Sequence, residues 1–402
     1  MPWRVSMRRA AWSLVLSLAL DAIPAAETSP LQDAWERRGA THAAHPLLEA
    51  LLRAAEESRR DSLARLRAEM SLEPGKTPIR WILDLSGSSS RDDGKPVKPA
   101  AEFFEAALTR FADGTIEVVV PARKYLRRPD EARAVVAHEA AHAVLASALE
   151  KSDRYQAVPR WFREGIALRF SGEGELRVSE TVAVTVFKER GASSFLVGIS
   201  FDRRPGDATS AAESYLAVRW VERRLGREGL AKLCREVAGG KGLRDELEGL
   251  LGLSEAGLRA EALRFARDAV ARILPASREK AFRDSLSAQA NGNKELAMAA
   301  WRRLLEENPQ GPLAGTIHYL LAKELLKAPG GAGESGEAMR HLESISRASS
   351  VLWRPEALVL LGERLREAGR SSDARALWTE VLEAFGEDLE PASRARKLLE
   401  EK

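Results

Sequence analysis

Two histidines lie four residues apart within the apolar segment Val135–Leu145, and a glutamate directly follows the first of them. The apolar character of residues 130–149 predicts one long buried helix, whose rotation of about 100° per residue places His138 and His142 on one face. Glu139 then points about 100° away from the first histidine. A buried core rarely accepts a carboxylate beside two imidazoles unless a partner offsets their desolvation. This feature therefore predicts a helix whose polar face binds a cation.

The residue types and their spacing are typical of a zinc site. Two imidazoles one helical turn apart can both reach a tetrahedral Zn²⁺, at Zn–N distances of about 2.0–2.1 Å. Glu139 stands where it can take a proton from a water that the metal activates. A third ligand is needed, and Glu164 follows His142 by 22 residues in a largely hydrophobic segment. That interval allows a helix to end, a loop to reverse and a second helix to begin. The alternative is that Glu164 only complements the dipole of its own helix.

The residues that carry a family resemblance are two short motifs, His138-Glu139-x-x-His142 and Pro159-x-Trp161-Phe162-x-Glu164-Gly165-x-Ala167. Together they resemble the gluzincin zinc metallopeptidases, and most closely the bacterial peptidase MA-like proteins of the thermolysin-type superfamily. The resemblance covers about residues 78–270. It implies one Zn²⁺ bound by His138, His142 and Glu164, with Glu139 as the general base. It also implies hydrolysis of a peptide or protein substrate, and the absence of a Gly-x-Met-Glu-Asn segment disfavours an aminopeptidase and favours an endopeptidase.

Two further assignments rest on this resemblance. In such folds the strand before the active-site helix commonly aligns an extended peptide by edge pairing, which assigns substrate binding to Glu117, Val118 and Val119. Related enzymes often place a Tyr or His on a later helix to stabilise the oxyanion, which points to Tyr215. Tyr215 could equally be a helix-packing residue, and Tyr155 remains an alternative for the same role.

The N-terminus has the features of a secretory signal peptide. Three arginines precede an apolar run at residues 10–20, and small residues follow at 24–26. The run of eleven residues is shorter than the ~20 that a membrane-spanning helix needs. We therefore expect an exported protein, periplasmic or extracellular, without a membrane span beyond this segment. The alternative is an uncleaved N-terminal anchor.

Residues after about 273 are predicted to be entirely helical and to contain a repeat. Ala and Trp four residues apart, followed by apolar residues, occur at 297–305 and again at 374–382, with a related pattern at 338–345. The two tryptophans are 77 residues apart, which is about two repeats of the 34-residue class. The region resembles a degenerate tetratricopeptide (TPR) array, with an unrelated helical bundle as the alternative. A TPR-like array would bind a protein partner or recruit substrate.

The expected fold class is α+β, with a small sheet and the HExxH helix in a gluzincin-type domain, followed by an all-α domain. Strands are predicted over residues 80–85 and 115–120, where apolar and β-branched residues concentrate. The predicted organisation has four parts: 1–26 signal peptide, 27–75 N-terminal helical segment, 76–272 zinc metallopeptidase (peptidase MA-like) domain and 273–402 TPR-like helical repeat domain.

Composition excludes several classes of protein. Of the 402 residues, 45% are hydrophobic and 30% charged, which excludes wholesale disorder and a polytopic membrane protein. A formal net charge of +3 is too small to predict nucleic-acid binding. The single cysteine, Cys234, excludes an intramolecular disulfide and a multi-cysteine metal cluster. Two hypotheses remain: an exported zinc metallopeptidase, and an exported TPR-type scaffold whose zinc site is structural or catalytically silent.

Overall fold

The computed structural model describes eight stretches of the chain: 35–38, 46–85, 108–188, 190–199, 210–327, 332–348, 352–385 and 389–401. The predicted signal peptide, residues 1–26, lies outside the described residues. Among the residues that are described, no helix has both the length and the apolar character needed to cross a membrane.

One small mixed sheet is built around the apolar strands that the sequence predicts. The strands are β1 (Glu36–Arg38), β2 (Ile79–Asp84), β3 (Leu108–Ala112) and β4 (Thr115–Pro121). Their order is β1-β2-β4-β3; β1, β2 and β4 run parallel, and β3 is antiparallel to β4. An Asp113-Gly114 turn joins β3 to β4, and both residues have positive φ, as a two-residue type I′ turn requires. The predicted strands at 80–85 and 115–120 are confirmed as β2 and β4.

Helices make up most of the described chain. Together with the small sheet, they make the fold class α+β. The helices are α1 (Pro46–Met70), α2 (Ala122–Tyr125), α3 (Pro129–Leu149), α4 (Ser152–Ala157), α5 (Arg160–Ser171), α6 (Gly174–Phe187), α7 (Ala211–Ala238), α8 (Leu243–Leu251), α9 (Glu255–Ile273), α10 (Ala276–Ala290), α11 (Lys294–Glu307), α12 (Ala314–Lys327), α13 (Ala332–Arg347), α14 (Arg354–Glu367), α15 (Ser371–Ala384) and α16 (Glu390–Glu400). The helix predicted over residues 130–149 is confirmed as α3. The chain bends within α7 at Gly226, whose φ of 74° is non-helical.

The repeated Ala and Trp positions of the C-terminal region are buried at equivalent places. Ala297 and Trp301 in α11 are fully buried, and so are Ala374 and Trp378 in α15. The region from α10 onward is entirely helical in the described residues, as predicted. The burial of these four residues fits a helical repeat, and it equally fits an unrelated helical bundle whose core contains the tryptophans.

The hydrophobic core continues across the predicted boundary between residues 272 and 273. One buried cluster combines Leu168 and Val178 of α5 and α6 with Phe282 and Trp301 of α10 and α11. Residues from Trp35 to the C-terminus form one compact unit. The two predicted regions are therefore joined by shared apolar packing.

The first turn of α3 is also held by the C-terminal helices through ion pairs. The guanidinium of Arg354, only 3% exposed, binds Glu131 with both terminal nitrogens, at 2.6 and 3.0 Å. Arg127 pairs with Glu383 at 3.0 Å across the same junction, but both of these side chains are about one-third exposed. The helix that carries the histidine motif is thus fixed at its start by α14 and α15.

Candidate metal centre and active site

Helix α3 carries three of the predicted site residues in its middle. Its first turn contains Asp130 and Glu131, which are favourable beside the positive end of the helix dipole. The rest of the helix is largely apolar and is enclosed by β4, α1 and α5. As a result, the side chains of Glu139 and His142 are buried, although both are polar.

The atoms that could bind a metal converge from two helices. His138 Nε2 and His142 Nε2 are 3.1 Å apart, and each lies 3.7 Å from Glu164 Oε2. In a tetrahedral zinc site with metal–ligand distances of about 2.0–2.1 Å, the ligand atoms are about 3.3–3.4 Å apart. The three observed distances fall on either side of that value. The group could therefore hold a metal ion with only small side-chain shifts.

Glu164 reaches this position because α5 packs unusually close to its neighbour. Trp161 and Phe162 are fully buried and anchor the first turn of α5. A Cβ at Gly165 would lie 2.3 Å from the carbonyl oxygen of Ser214 in α7, so only glycine permits this approach. The residue before that glycine, Glu164, is thereby directed toward α3.

The charges of the group favour a cation. Burial alone would raise the pKa of Glu164, but the adjacent His142 and His138 outweigh that effect and hold its pKa well below the ordinary carboxyl value. Burial would likewise lower the pKa of His138, but the hydrogen bond that its ring donates to Glu164 and the charges of Glu139, Glu164 and Glu173 outweigh burial and raise it. An ionised carboxylate beside two imidazoles is a donor set that divalent transition metals bind.

Glu139 is tethered to the edge of the sheet. The hydroxyl of Thr109, in β3, donates a hydrogen bond of 2.5 Å to Glu139 Oε2. This bond holds one carboxylate oxygen and orients the side chain beside the histidines without making it part of the three-atom group. The position suits a proton acceptor that is close to a metal and does not bind it.

Two residues lie behind the imidazoles, at the ring nitrogens that do not face Glu164. The hydroxyl of Tyr155 is 2.9 Å from His142 Nδ1. Burial raises the pKa of this phenol, so it stays neutral at ordinary pH. On the other ring, Glu173 Oε2 is 3.8 Å from His138 Nδ1. Both histidines therefore have a defined polar neighbour on the side away from the convergent nitrogens.

The edge pairing through which Glu117, Val118 and Val119 were predicted to bind a substrate is not available in this sheet. These residues lie in β4, whose backbone pairs with β2 on one side and with β3 on the other, so β4 has no unpaired edge along them. Glu117 is buried and forms ion pairs with its two cross-strand neighbours, Arg80 and Arg110. The two arginines, each one-third exposed, offset the burial of the Glu117 carboxylate.

Tyr215 does not join the metal-binding group. Its ring packs so closely against Gly174 that a Cβ there would lie 2.0 Å from a ring carbon. Burial raises the pKa of its phenol, and the charges that act on it come from Arg219, Glu175 and Arg169, outside the group. The packing alternative describes its position, and the prediction that it stabilises an oxyanion has no support from the structure. Tyr155 also faces a histidine ring nitrogen and not the convergent ligand atoms.

Sequence reasoning missed Thr109 and Glu173 and did not find the contact that Tyr155 makes. Thr109 lies on a strand that no sequence pattern predicts. Glu173 follows the third ligand by nine residues, beyond a helix end. The Gly172-x-Gly174 pattern around it signals a tight turn, but nothing in that turn reveals that it faces a histidine.

Comparison of the chain with protein-family models, curated proteins and solved structures found no match in any of the three. Within the described residues, His138, His142 and Glu164 are the group of three potential ligands that comes together. The geometry and chemistry of that group therefore carry the functional conclusion.

Proposed function

We propose that this protein is an exported zinc-dependent metallopeptidase that hydrolyses internal peptide bonds of a protein substrate. The observation that carries the proposal is the convergence of His138 Nε2, His142 Nε2 and Glu164 Oε2 beside the tethered carboxylate of Glu139. A purely structural zinc site has no need of that additional carboxylate. Its presence favours an enzyme over a scaffold with a silent site.

In this proposal, each residue of the group has a separate task. A zinc ion held by the two imidazoles and Glu164 would supply Lewis-acid chemistry, activating a water molecule and polarising a substrate carbonyl. Thr109 holds Glu139 Oε2, which leaves Oε1 to accept the proton from the attacking water. Glu139 then delivers this proton to the leaving amine, as a general base that becomes a general acid.

The substrate would lie along β3. Among the described strands, β3 pairs on one side only, with β4. An extended peptide can add to such an edge through backbone hydrogen bonds, and Thr109 on this strand already reaches the general base. We therefore assign edge pairing with the substrate peptide to β3, and not to β4. The TPR-like helices would recruit the protein from which this peptide extends.

The experiment compares the full chain with Glu139→Gln and His142→Ala, and uses Glu295→Gln, an exposed position in α11, as the matched control. Bound metal is measured by elemental mass spectrometry, and turnover with a library of quenched fluorescent peptides. We expect about one zinc per chain in the wild type, the control and Glu139→Gln, and none in His142→Ala. Glu139→Gln should lose about 10²–10⁴-fold in kcat/KM, whereas the control should keep full activity.

Three results would contradict the proposal. The first is a wild-type protein that binds no zinc after zinc has been supplied. The second is a Glu139→Gln variant that cleaves peptides at the wild-type rate. A protein that binds zinc and a protein partner but cleaves no peptide would instead be the scaffold.

A further inference from the structure

We infer that Tyr155 and Glu173 are positioning residues that fix the two metal-binding imidazoles from behind, one through a neutral phenol and the other through a carboxylate. The inference rests on the proposed metal site. It adds that the site has two unlike supports, which contribute separately to the affinity for metal.

The contact between Tyr155 and His142 selects one form of the imidazole. When Nε2 of His142 binds the metal, the proton of the neutral ring belongs on Nδ1, and the phenol oxygen 2.9 Å away is placed to accept it. The phenol is itself held: Phe111 lies beside its ring, with centroids 6.0 Å apart, and the guanidinium of Arg163 covers a face at 4.5 Å. A rigid acceptor of this kind sets both the tautomer and the direction of His142.

The corresponding support for His138 is a carboxylate. Among the described residues, His138 Nδ1 is buried and has no hydrogen-bond partner within reach, and Glu173 Oε2 faces it at 3.8 Å. Arg177 holds Glu173 Oε1 at 3.1 Å, while Oε2 accepts a hydrogen bond from the hydroxyl of Ser171 at 3.2 Å. One oxygen of this carboxylate is therefore held by an arginine, and the other, which a serine hydroxyl holds, faces the histidine.

The turn that carries Glu173 is fixed by packing. Glu173 precedes α6, and the next residue, Gly174, is pressed against the ring of Tyr215. Since any larger residue at that position would collide with this ring, the backbone beside Glu173 has little freedom. Tyr215 therefore acts on the site indirectly, through the turn that carries Glu173.

The two supports should differ in how they act on a bound cation. The carboxylate of Glu173 adds negative charge and makes the His138 ring a better donor, whereas the phenol of Tyr155 orients His142 without adding charge. Loss of an outer-shell partner of this kind typically weakens metal binding by about 10–100-fold. We expect losses in this range for each residue.

The test measures Zn²⁺ affinity of the full chain after metal removal, by competition with a chromophoric chelator. Tyr155→Phe removes one hydroxyl, and Glu173→Gln removes one charge at constant size. The matched controls are Tyr319→Phe, in α12, and Glu175→Gln, two residues beyond Glu173 in the first turn of α6. Each variant of the site should weaken Zn²⁺ binding about 10–100-fold, and the controls should bind as the wild type does.

Two further measurements separate positioning from general destabilisation. The visible absorption spectrum of the Co²⁺-loaded protein reports ligand geometry and should change in both site variants but in neither control. Thermal unfolding of the metal-free proteins should be nearly the same for the wild type and for Tyr155→Phe. Glu173→Asp keeps the charge with a shorter reach and should give an affinity between those of the wild type and Glu173→Gln.

The outcomes distinguish this inference from the proposed function. If the wild type binds zinc and both site variants bind it with the same affinity and the same Co²⁺ spectrum, the positioning roles are wrong and the metal site stands. If the wild type binds no zinc, the metal site itself is wrong and the inference fails with it.

Discussion

The ion pair between Glu131 and Arg354 should be the strongest polar link between the motif helix and the C-terminal helices. Arg354 is 3% exposed and is bound by both oxygens of Glu131, which is itself 30% exposed. Glu131→Gln leaves a buried guanidinium opposite an amide, which can accept only one of the two hydrogen bonds. Arg127 and Glu383 join the same regions at a comparable distance, but they are 36% and 30% exposed. They provide a natural control.

The expected magnitudes differ clearly. Breaking a buried pair by removing one partner costs about 3–5 kcal/mol, and the partial exposure of Glu131 places the cost near 3 kcal/mol. Glu383→Gln, in an exposed pair, should cost less than about 1 kcal/mol. With an unfolding entropy of about 2.1 cal/mol/K per residue, the unit that begins at Trp35 loses about 0.8 kcal/mol of stability per degree near its Tm. The expected decreases are therefore about 4 °C for Glu131→Gln and about 1 °C or less for Glu383→Gln.

The assay is thermal unfolding followed by far-UV circular dichroism, with a chelator present so that metal binding does not add to the measured stability. Replacing the whole pair in Glu131→Gln/Arg354→Met should recover part of the loss, because the buried charge is gone. Equal decreases in Tm for Glu131→Gln and Glu383→Gln would refute the reasoning, since burial would then make no difference to the strength of the pair.

Three further predictions concern other parts of the chain. Burial and the nearby His341 lower the pKa of His318 to about 4. The stability that this neutral imidazole contributes is therefore complete above its unfolded-state pKa of about 6.5 and is lost as the pH falls toward 4, and His318→Gln should flatten the dependence of Tm on pH in that range. Gly174→Ala should cost about 1–3 kcal/mol in urea unfolding, because the new Cβ would overlap the ring of Tyr215. Burial raises the pKa of Cys234 to about 12, so a thiol reagent should modify this residue only after unfolding.

The glycine substitution has a matched control, and each of the three predictions has an outcome that would contradict it. Gly249→Ala, in α8, has no neighbouring atom within 4 Å of the new Cβ and should gain about 0.5–1 kcal/mol from helix propensity. A Gly174→Ala variant as stable as the wild type would show that the tyrosine ring moves without cost. A wild-type pH profile unchanged in His318→Gln would assign the acid sensitivity to carboxylates. Rapid labelling of Cys234 in the native protein would mean that its surroundings open readily.

The parts of the site that the sequence predicted depend on local patterns. The turn of helix between His138 and His142 fixes their relative direction, and the hydrophobic residues around Glu164 require its helix to pack inside the protein. These two constraints made Glu164 a candidate third ligand, and the family resemblance favoured that role over the alternative that Glu164 only complements the dipole of its helix. They could not predict what supports the rings, because Tyr155 and Glu173 reach the histidines through a loop and a turn whose paths depend on the packing of other helices.

The error at β4 has a similar origin. A β-branched run with one central glutamate is compatible with an edge strand and with an interior strand. The sequence of a strand does not reveal how many neighbouring strands it has. Glu117 is tolerated inside the sheet because Arg80 and Arg110 lie directly opposite it in the two adjacent strands. That compensation comes from residues that are distant in sequence or belong to a strand without a sequence signature. Nothing local to β4 could have shown it.

The buried cluster that joins α5 and α6 to α10 and α11 has a consequence for modularity. A chain cut after residue 272 would leave Leu168 and Val178 without Phe282 and Trp301, which lie in the same cluster. The severed N-terminal part would also carry Glu131 without the arginine that neutralises it. The C-terminal helices therefore cannot be exchanged as an independent cassette, and a homologous replacement would have to bring its own matching apolar surface and its own buried cation.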